Sequence, residues 1–122
     1  MDSDIIIWIL RGNEGIKNQF VEIVQESRGY IFITPVQIAE IHAGIRDKER
    51  IKVELFLESL LMISIDAKAG KLAGEYLNKY RKSHNVTLAD AIIAACAKLH
   101  GFKLWTANRK HYPMLDKEDF YL

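Results

Sequence analysis

The stretch that decides the fold is VTLADAIIAACAKLHG, residues Val86–Gly101. It reads as a helix that is apolar on every side, which is typical of a helix buried in a core. Only one charge, Asp90, falls in its first ten residues. Because a buried carboxylate without a partner is costly, Asp90 is the first candidate functional residue. A simpler interpretation stays open, since Thr87 and Asp90 have the spacing of a T-x-x-D capping motif.

Composition limits the class of protein. The chain has 122 residues, 49% of them hydrophobic and 27% charged, which predicts one soluble globular domain. The net charge of +1 means that a nucleic acid would have to be attracted by a local patch. A single cysteine, Cys96, excludes an internal disulfide and suits a reducing cytoplasm. The sequence shows no membrane span and no secretory signal, so we expect a cytoplasmic protein.

Short apolar runs alternate with helical patterns along the chain. After an apolar turn or two over residues 4–13, the spacing predicts helices at residues 14–27, 34–45, 48–61, 66–83 and 86–101, and strands at 30–34, 62–65 and 102–106. The last residues, 117–122, are expected to add a short edge strand. Alternating strands and helices predict an α/β fold with a parallel sheet covered on both faces. In such folds, ligands bind beyond the carboxyl ends of the strands.

Polar side chains follow several of these predicted strands. Glu40 lies on the helix after Thr34, Thr106 and Asn108 close the late strand, and Asp2 stands near the start. If these groups converge with Asp90, the carboxylates repel one another, and a divalent cation would remove the conflict. Taken one at a time, each also fits a solvated surface residue, a cap or a polar turn. The four histidines lack zinc-ligand spacing and are interpreted as structural or surface residues.

Three segments together resemble a known family. DSDIIIWILRGN, TPVQIAEIHAGI and TLADAIIAACAKLHGFKLWTANRKHYP are similar to the motifs of PIN-domain ribonucleases, specifically the VapC-type toxins of toxin–antitoxin pairs. The resemblance covers nearly the whole chain in the right order. It implies a three-layer α/β/α PIN-like domain with a short parallel central sheet, formed as a single domain by residues 1–122.

The resemblance also implies a site and partners. The family's acids fall on Asp2, Glu40 and Asp90, expected to hold Mg²⁺ (or Mn²⁺), and its fourth position falls on Thr106 and Asn108. With those residues as the catalytic set, the chain is expected to be a metal-dependent endoribonuclease that cleaves RNA with a metal-activated water. Family resemblance further implies a VapB-like antitoxin as partner and a homodimer. Arg11, Arg109 and Lys110 adjoin these motifs and are candidates to pair with RNA phosphates.

This sequence departs from the family pattern in two places. Asn108 is neutral where many PIN nucleases carry an acid, so a non-catalytic PIN-like module that binds RNA or protein is the alternative. Only Met1 precedes Asp2, so we expect that the N-terminal strand of the family is truncated in the chain as given. A receiver domain, which has a similar length and an acidic pocket, is discounted because its strand–Thr and strand–Lys signatures are not found at regular intervals.

Overall fold

The structure, a computed structural model, describes residues 3–121. Along the chain it has helices and strands in the order α1 (Ser3–Leu10), α2 (Glu14–Ser27), β1 (Phe32–Ile33), α3 (Pro35–Gly44), α4 (Arg50–Glu58), β2 (Leu61–Met62), α5 (Ala67–His84) and α6 (Leu88–His100). Short 3₁₀ helices lie at Asp47–Glu49, Arg109–His111 and Lys117–Asp119. The chain divides into two compact units, Met1–Ile63 and Ser64–Leu122.

The first unit is built from α1 to α4 and the two strands. Helix α1 packs against α2 and α3. Apart from Gln37, the unit's largest fully buried side chains are aliphatic and come from most of its elements: Ile5, Ile6, Ile23, Ile33, Ile41 and Val53. Gly12 follows α1 with a φ of +87°, a left-handed conformation that glycine adopts without the Cβ clash of other residues.

The two strands of the first unit pair in parallel. Phe32 lies opposite Leu61 and Ile33 opposite Met62. The N–H of Leu61 donates to the carbonyl of Ile31, and the N–H of Ile63 donates to the carbonyl of Ile33, both at 2.8 Å. The prediction of a short parallel sheet is confirmed, although β2 begins one residue earlier than the pattern indicated and is shorter.

The second unit is centred on the packing of α5 against α6. Its core cluster is formed by small and aliphatic side chains, Ala73, Leu77, Val86, Ala91 and Ala95. Leu72, Tyr76 and Tyr80 pack at its margin, as the spacing along α5 predicted. Alanines at the contact let the two helix backbones approach closely, which fixes the start of α6 against α5.

Two expectations for this unit were wrong in detail. The predicted strands at residues 102–106 and 117–122 reduce to one parallel bridge between Leu104 and Phe120. A 3₁₀ helix precedes Phe120, and the chain bends after Thr106. Because both segments leave the extended conformation there, the β-pairing between them does not continue beyond this one bridge. Helix α6 is buried over its middle but not all round, because Leu88 and Leu99 in its end turns are 62% and 46% exposed.

Candidate active site

Glu40 is positioned by a well-capped helix. At the start of α3, the Thr34 N–H donates to Gln37 Oε1 at 2.6 Å and the Val36 N–H donates to Thr34 Oγ1 at 3.2 Å. Pro35 occupies the first turn, where its missing N–H costs nothing. This capping box sets where the helix begins. Glu40 then falls in the second turn, on an exposed position.

The start of α1 meets Glu40. Ser3, buried at 7% exposure, donates from Oγ to Glu40 Oε1 at 3.3 Å. Helix α1 lies close to this face of α3, since a Cβ built on Gly44 would be in ordinary van der Waals contact with Ile7 Cδ1 at 3.5 Å. Asp2, the predicted first acid, lies outside the described residues. Its neighbour Asp4 is exposed on α1.

Asp90 is held on the first turn of α6. The side chain of Thr87 caps the helix, accepting a hydrogen bond from the Asp90 N–H at 3.1 Å, so the role of Thr87 as N-cap is confirmed. The Asp90 side chain is 16% exposed, and its Oδ2 lies 3.7 Å from Nδ1 of His111. The backbone of Asp90 is thus held by the cap, and its partly buried carboxylate lies near the His111 imidazole at a separation too long for a hydrogen bond.

His111 was not recognised as a site residue in the sequence. It comes from the 3₁₀ helix Arg109–His111, directly after the polar turn of residues 106–108. The only signal in the sequence was its position in the family-like segment TANRKHYP. Its contact with Asp90 joins residues 21 positions apart, which no local pattern predicts.

Thr106 and Asn108 form the turn that leads to His111. Thr106 is buried at 8% exposure, and its Oγ1 accepts a hydrogen bond from the Asn108 N–H at 3.0 Å. The hydroxyl therefore fixes the local backbone. Asn108 is exposed, with its side-chain amide at the surface of this unit. Thr106 is best described as a positioning residue for Asn108.

Two of the three basic residues proposed to pair with phosphate already have partners in the protein. Arg11 forms a bidentate ion pair with Glu49, from Nε to Oε2 and from Nη2 to Oε1, each at 3.0 Å. Arg109 donates from Nη2 to the Tyr121 carbonyl at 3.2 Å and lies over the Phe120 ring at 4.7 Å. Lys110 is exposed.

The residues present suit a hard divalent cation in their chemistry. Aspartate and glutamate supply the oxygen ligands that Mg²⁺ and Mn²⁺ prefer. Within residues 3–121, no group of three or more His, Cys, Asp or Glu side chains is arranged to hold a metal ion. The predicted set includes Asp2, which falls outside that range.

Over the described part of the chain, no helix combines the length and apolarity needed to cross a membrane. Cys96 is a free, buried thiol, and burial raises its pKa. A thiol held protonated in this way is a poor nucleophile, so we assign Cys96 a packing role.

Comparison with known proteins identifies the family. The PIN domain family model matches residues 1–114. The chain is 33% identical over 118 residues to ribonuclease VapC10 of Mycobacterium tuberculosis, covering 96% of this chain and 87% of that protein. Ribonuclease VapC19 of the same organism is 26% identical over 115 residues, covering 93% and 91%. The chain belongs to the PIN domain family and, within it, to the VapC ribonucleases.

A solved structure supports the fold. A toxin–antitoxin complex from Klebsiella pneumoniae contains a chain that superposes with a TM-score of 0.77, covering 99% of this chain and 93% of that one at 20% identity. The resemblance stated from the motifs and the predicted PIN-like α/β/α class are thereby confirmed. The single-domain assignment and the site residues stay predictions.

Proposed function

We propose that this chain is a divalent-metal-dependent endoribonuclease and the toxin of a VapBC-type toxin–antitoxin pair. The observation that carries the proposal is its 33% identity to a VapC ribonuclease over 96% of the chain. It is supported by the second unit, in which Asp90 stands in the capped first turn of α6 with its side chain 16% exposed and 3.7 Å from the His111 ring.

In this proposal, Asp2, Glu40 and Asp90 bind Mg²⁺ or Mn²⁺ through carboxylate oxygens. When bound, the metal ion activates water and neutralises charge on the scissile phosphate. Glu40 orients the attacking water and accepts its proton. His111 orients the Asp90 carboxylate, and Thr106 holds the backbone of Asn108, whose amide positions the phosphate or the water. In-line attack on phosphorus breaks the bond to the 3′ oxygen and leaves a 5′-phosphate and a 3′-hydroxyl.

The proposal extends to partners and location. RNA is the substrate, and a VapB-like antitoxin is the protein that holds the enzyme inactive. The toxin–antitoxin complex among the structural relatives supports such a partner. We further propose a homodimer that acts in the cytoplasm, where a lone free thiol such as Cys96 stays reduced.

Cleavage of RNA by the purified protein tests this proposal. We expect cleavage with Mg²⁺ or Mn²⁺, none with EDTA, and a loss of at least about a hundredfold in Asp90→Asn because an amide is a weak metal ligand. Glu118→Gln, an exposed acid of the same unit, is the matched control and should cleave at the wild-type rate. Circular dichroism should show both variants folded.

Two outcomes would contradict the proposal. Cleavage by Asp90→Asn at the wild-type rate would remove Asp90 from the chemistry. RNA binding by the wild-type protein without cleavage in any metal would favour the alternative, a non-catalytic PIN-like module, to which the neutral Asn108 also points.

A further inference from the structure

A surface cavity of about 440 Å³ lies in the first unit, between the end of α1 and the start of α4. Its wall is mostly cationic, with Arg11, Arg46, Lys48 and Lys52 around a single carboxylate, Glu49. We call this cavity the basic pocket. Its formal charge is +3, whereas the whole chain carries only +1, so positive charge is concentrated here.

Glu49 is bound by the protein and does not neutralise the remaining cations. Its Oε2 accepts from Arg11 Nε and its Oε1 from Arg11 Nη2, both at 3.0 Å, and Oε1 also accepts from the Arg46 N–H at 2.9 Å. These contacts, the one with Arg11 first, lower the pKa of the Glu49 carboxyl to about 2. Glu49 therefore fixes the side chain of Arg11 and the backbone of Arg46 through these hydrogen bonds.

Lys52 is fixed in the pocket by the backbone. Its Nζ donates to the Leu10 carbonyl at the end of α1, at 2.9 Å. An ammonium group has three N–H donors, and this bond uses one of them. Arg46 and Lys48 complete the cationic wall, while Leu10 and Val53 add an aliphatic surface. The pocket therefore offers cationic donors of the kind that bind an anionic group such as a phosphate.

Helix α1 connects the basic pocket to Glu40. Ser3, which bonds Glu40, begins α1, and Leu10 at the pocket ends it. Seven helical rises separate the two ends, roughly 10 Å at 1.5 Å per residue. An extended single strand crosses that distance within a few nucleotides, and single strands are bound by positive grooves that track the backbone.

We propose that the basic pocket binds a backbone phosphate of single-stranded RNA at a short distance from the cleaved bond. The inference rests on the proposed ribonuclease function and adds a specific binding subsite to it. An acidic segment of a protein is the competing occupant. RNA is favoured because the pocket lies at the opposite end of α1 from Ser3, which bonds Glu40, and is therefore within a few nucleotides of the proposed catalytic acid.

The test measures binding of a fluorescent single-stranded RNA oligonucleotide in EDTA, by anisotropy, across a series of salt concentrations. Each phosphate contact to a single strand contributes about 0.7 to the slope of log K against log salt. In Arg46→Gln/Lys48→Gln, the slope should fall by about 0.7, because one phosphate contact is lost. In the charge-preserving Arg46→Lys/Lys48→Arg, most of the slope should return.

The matched control is Lys17→Gln/Arg50→Gln, which removes the same charge from the same unit outside the pocket. Both side chains are exposed, and Arg50 pairs with Asp47. We expect this control to keep the wild-type slope. Equal slopes in the pocket and control variants would overturn the proposal, as would failure of the wild-type protein to bind the oligonucleotide. Polyglutamate serves as the probe for an acidic protein segment. If the pocket variant binds polyglutamate more weakly than the wild type does but binds RNA equally well, the pocket belongs to a protein partner instead.

Failure of this inference is distinguishable from failure of the proposed function. Binding is measured without metal and without cleavage, whereas the proposed function is judged by Asp90-dependent cleavage. Wild-type RNA cleavage that requires Asp90, together with an unchanged slope in the pocket variant, would overturn the subsite alone.

Discussion

The geometry at Asp90 depends on one hydroxyl. Thr87 caps α6 by accepting the Asp90 N–H, so the same bond stabilises the helix and orients the residue that carries the candidate ligand. The His111 ring then lies against the carboxylate from another part of the second unit. A change at residue 87 should therefore alter the stability of α6.

Replacing Thr87 with alanine should lower the free energy of unfolding by about 1 kcal/mol, because the first turn of α6 loses its side-chain cap. Urea unfolding measures this change. Thr87→Ser keeps the hydroxyl and should stay within a few tenths of a kcal/mol of the wild-type protein. Equal stability of the alanine and serine variants would contradict the capping role.

A second residue-scale prediction concerns Glu49 and pH. Its folded pKa of about 2 lies below the ordinary value, so its charge stabilises the folded state at neutral pH and this contribution is lost as pH falls toward 2. The difference in unfolding free energy between wild type and Glu49→Gln should therefore persist from pH 7 to pH 5 and shrink between about pH 4 and pH 2.

Denaturant unfolding of both proteins over this pH range measures the effect. Asp47→Asn is the control, since the Asp47 side chain is fully exposed in its pair with Arg50 and should contribute little at any pH. A wild-type minus Glu49→Gln difference that is the same at pH 7 and pH 2.5 would show that the Glu49 charge does not stabilise the fold.

At the scale of elements, helices were predicted well and strands less well. Helices α3, α5 and α6 begin at residues whose side chains are common N-caps, and these are Thr34, Asp66 and Thr87. All three side chains cap their helices in the structure. Strand length depends on a partner elsewhere in the chain. Residues 30–34 have high β-propensity, but parallel pairing with β2 gives a strand of only two residues.

Helix α5 contains two glycines that its packing does not require. Gly70 and Gly74 are exposed, and a Cβ at either position would meet no atom within 4 Å. Gly70→Ala and Gly74→Ala should each raise the free energy of unfolding by about 0.5–1 kcal/mol, because glycine is a poor helix former. Thermal or urea unfolding checks this.

Gly101 provides the contrast for those variants. It ends α6 with a φ of +72°, a left-handed conformation that costs an alanine about 1 kcal/mol or more. Gly101→Ala should therefore destabilise the protein. Destabilisation by the α5 alanines, or stabilisation by Gly101→Ala, would show that backbone conformation does not control these positions.

At the scale of the whole molecule, the sequence indicated the family and the candidate site residues but not the long-range contacts. Glu40 and Asp90 could be nominated because each follows a local helix signal in a recognisable motif. The pairs Arg11–Glu49 and Asp90–His111 could not, because they join residues 38 and 21 positions apart and depend on tertiary packing. The basic pocket depends on the same kind of contact, because the end of α1 meets residues 46–53; the sequence nominated only Arg11 among its cations as a partner for phosphate.

The central claim is that Asp2, Glu40 and Asp90 bind a divalent metal ion, and direct measurement of Mn²⁺ binding tests it. Titration followed by electron paramagnetic resonance should show saturable binding to the wild-type protein, lost or weakened at least about tenfold in Asp90→Asn and Glu40→Gln. The Glu118→Gln control should bind as the wild type does. Unchanged Mn²⁺ binding in both site variants would contradict the account.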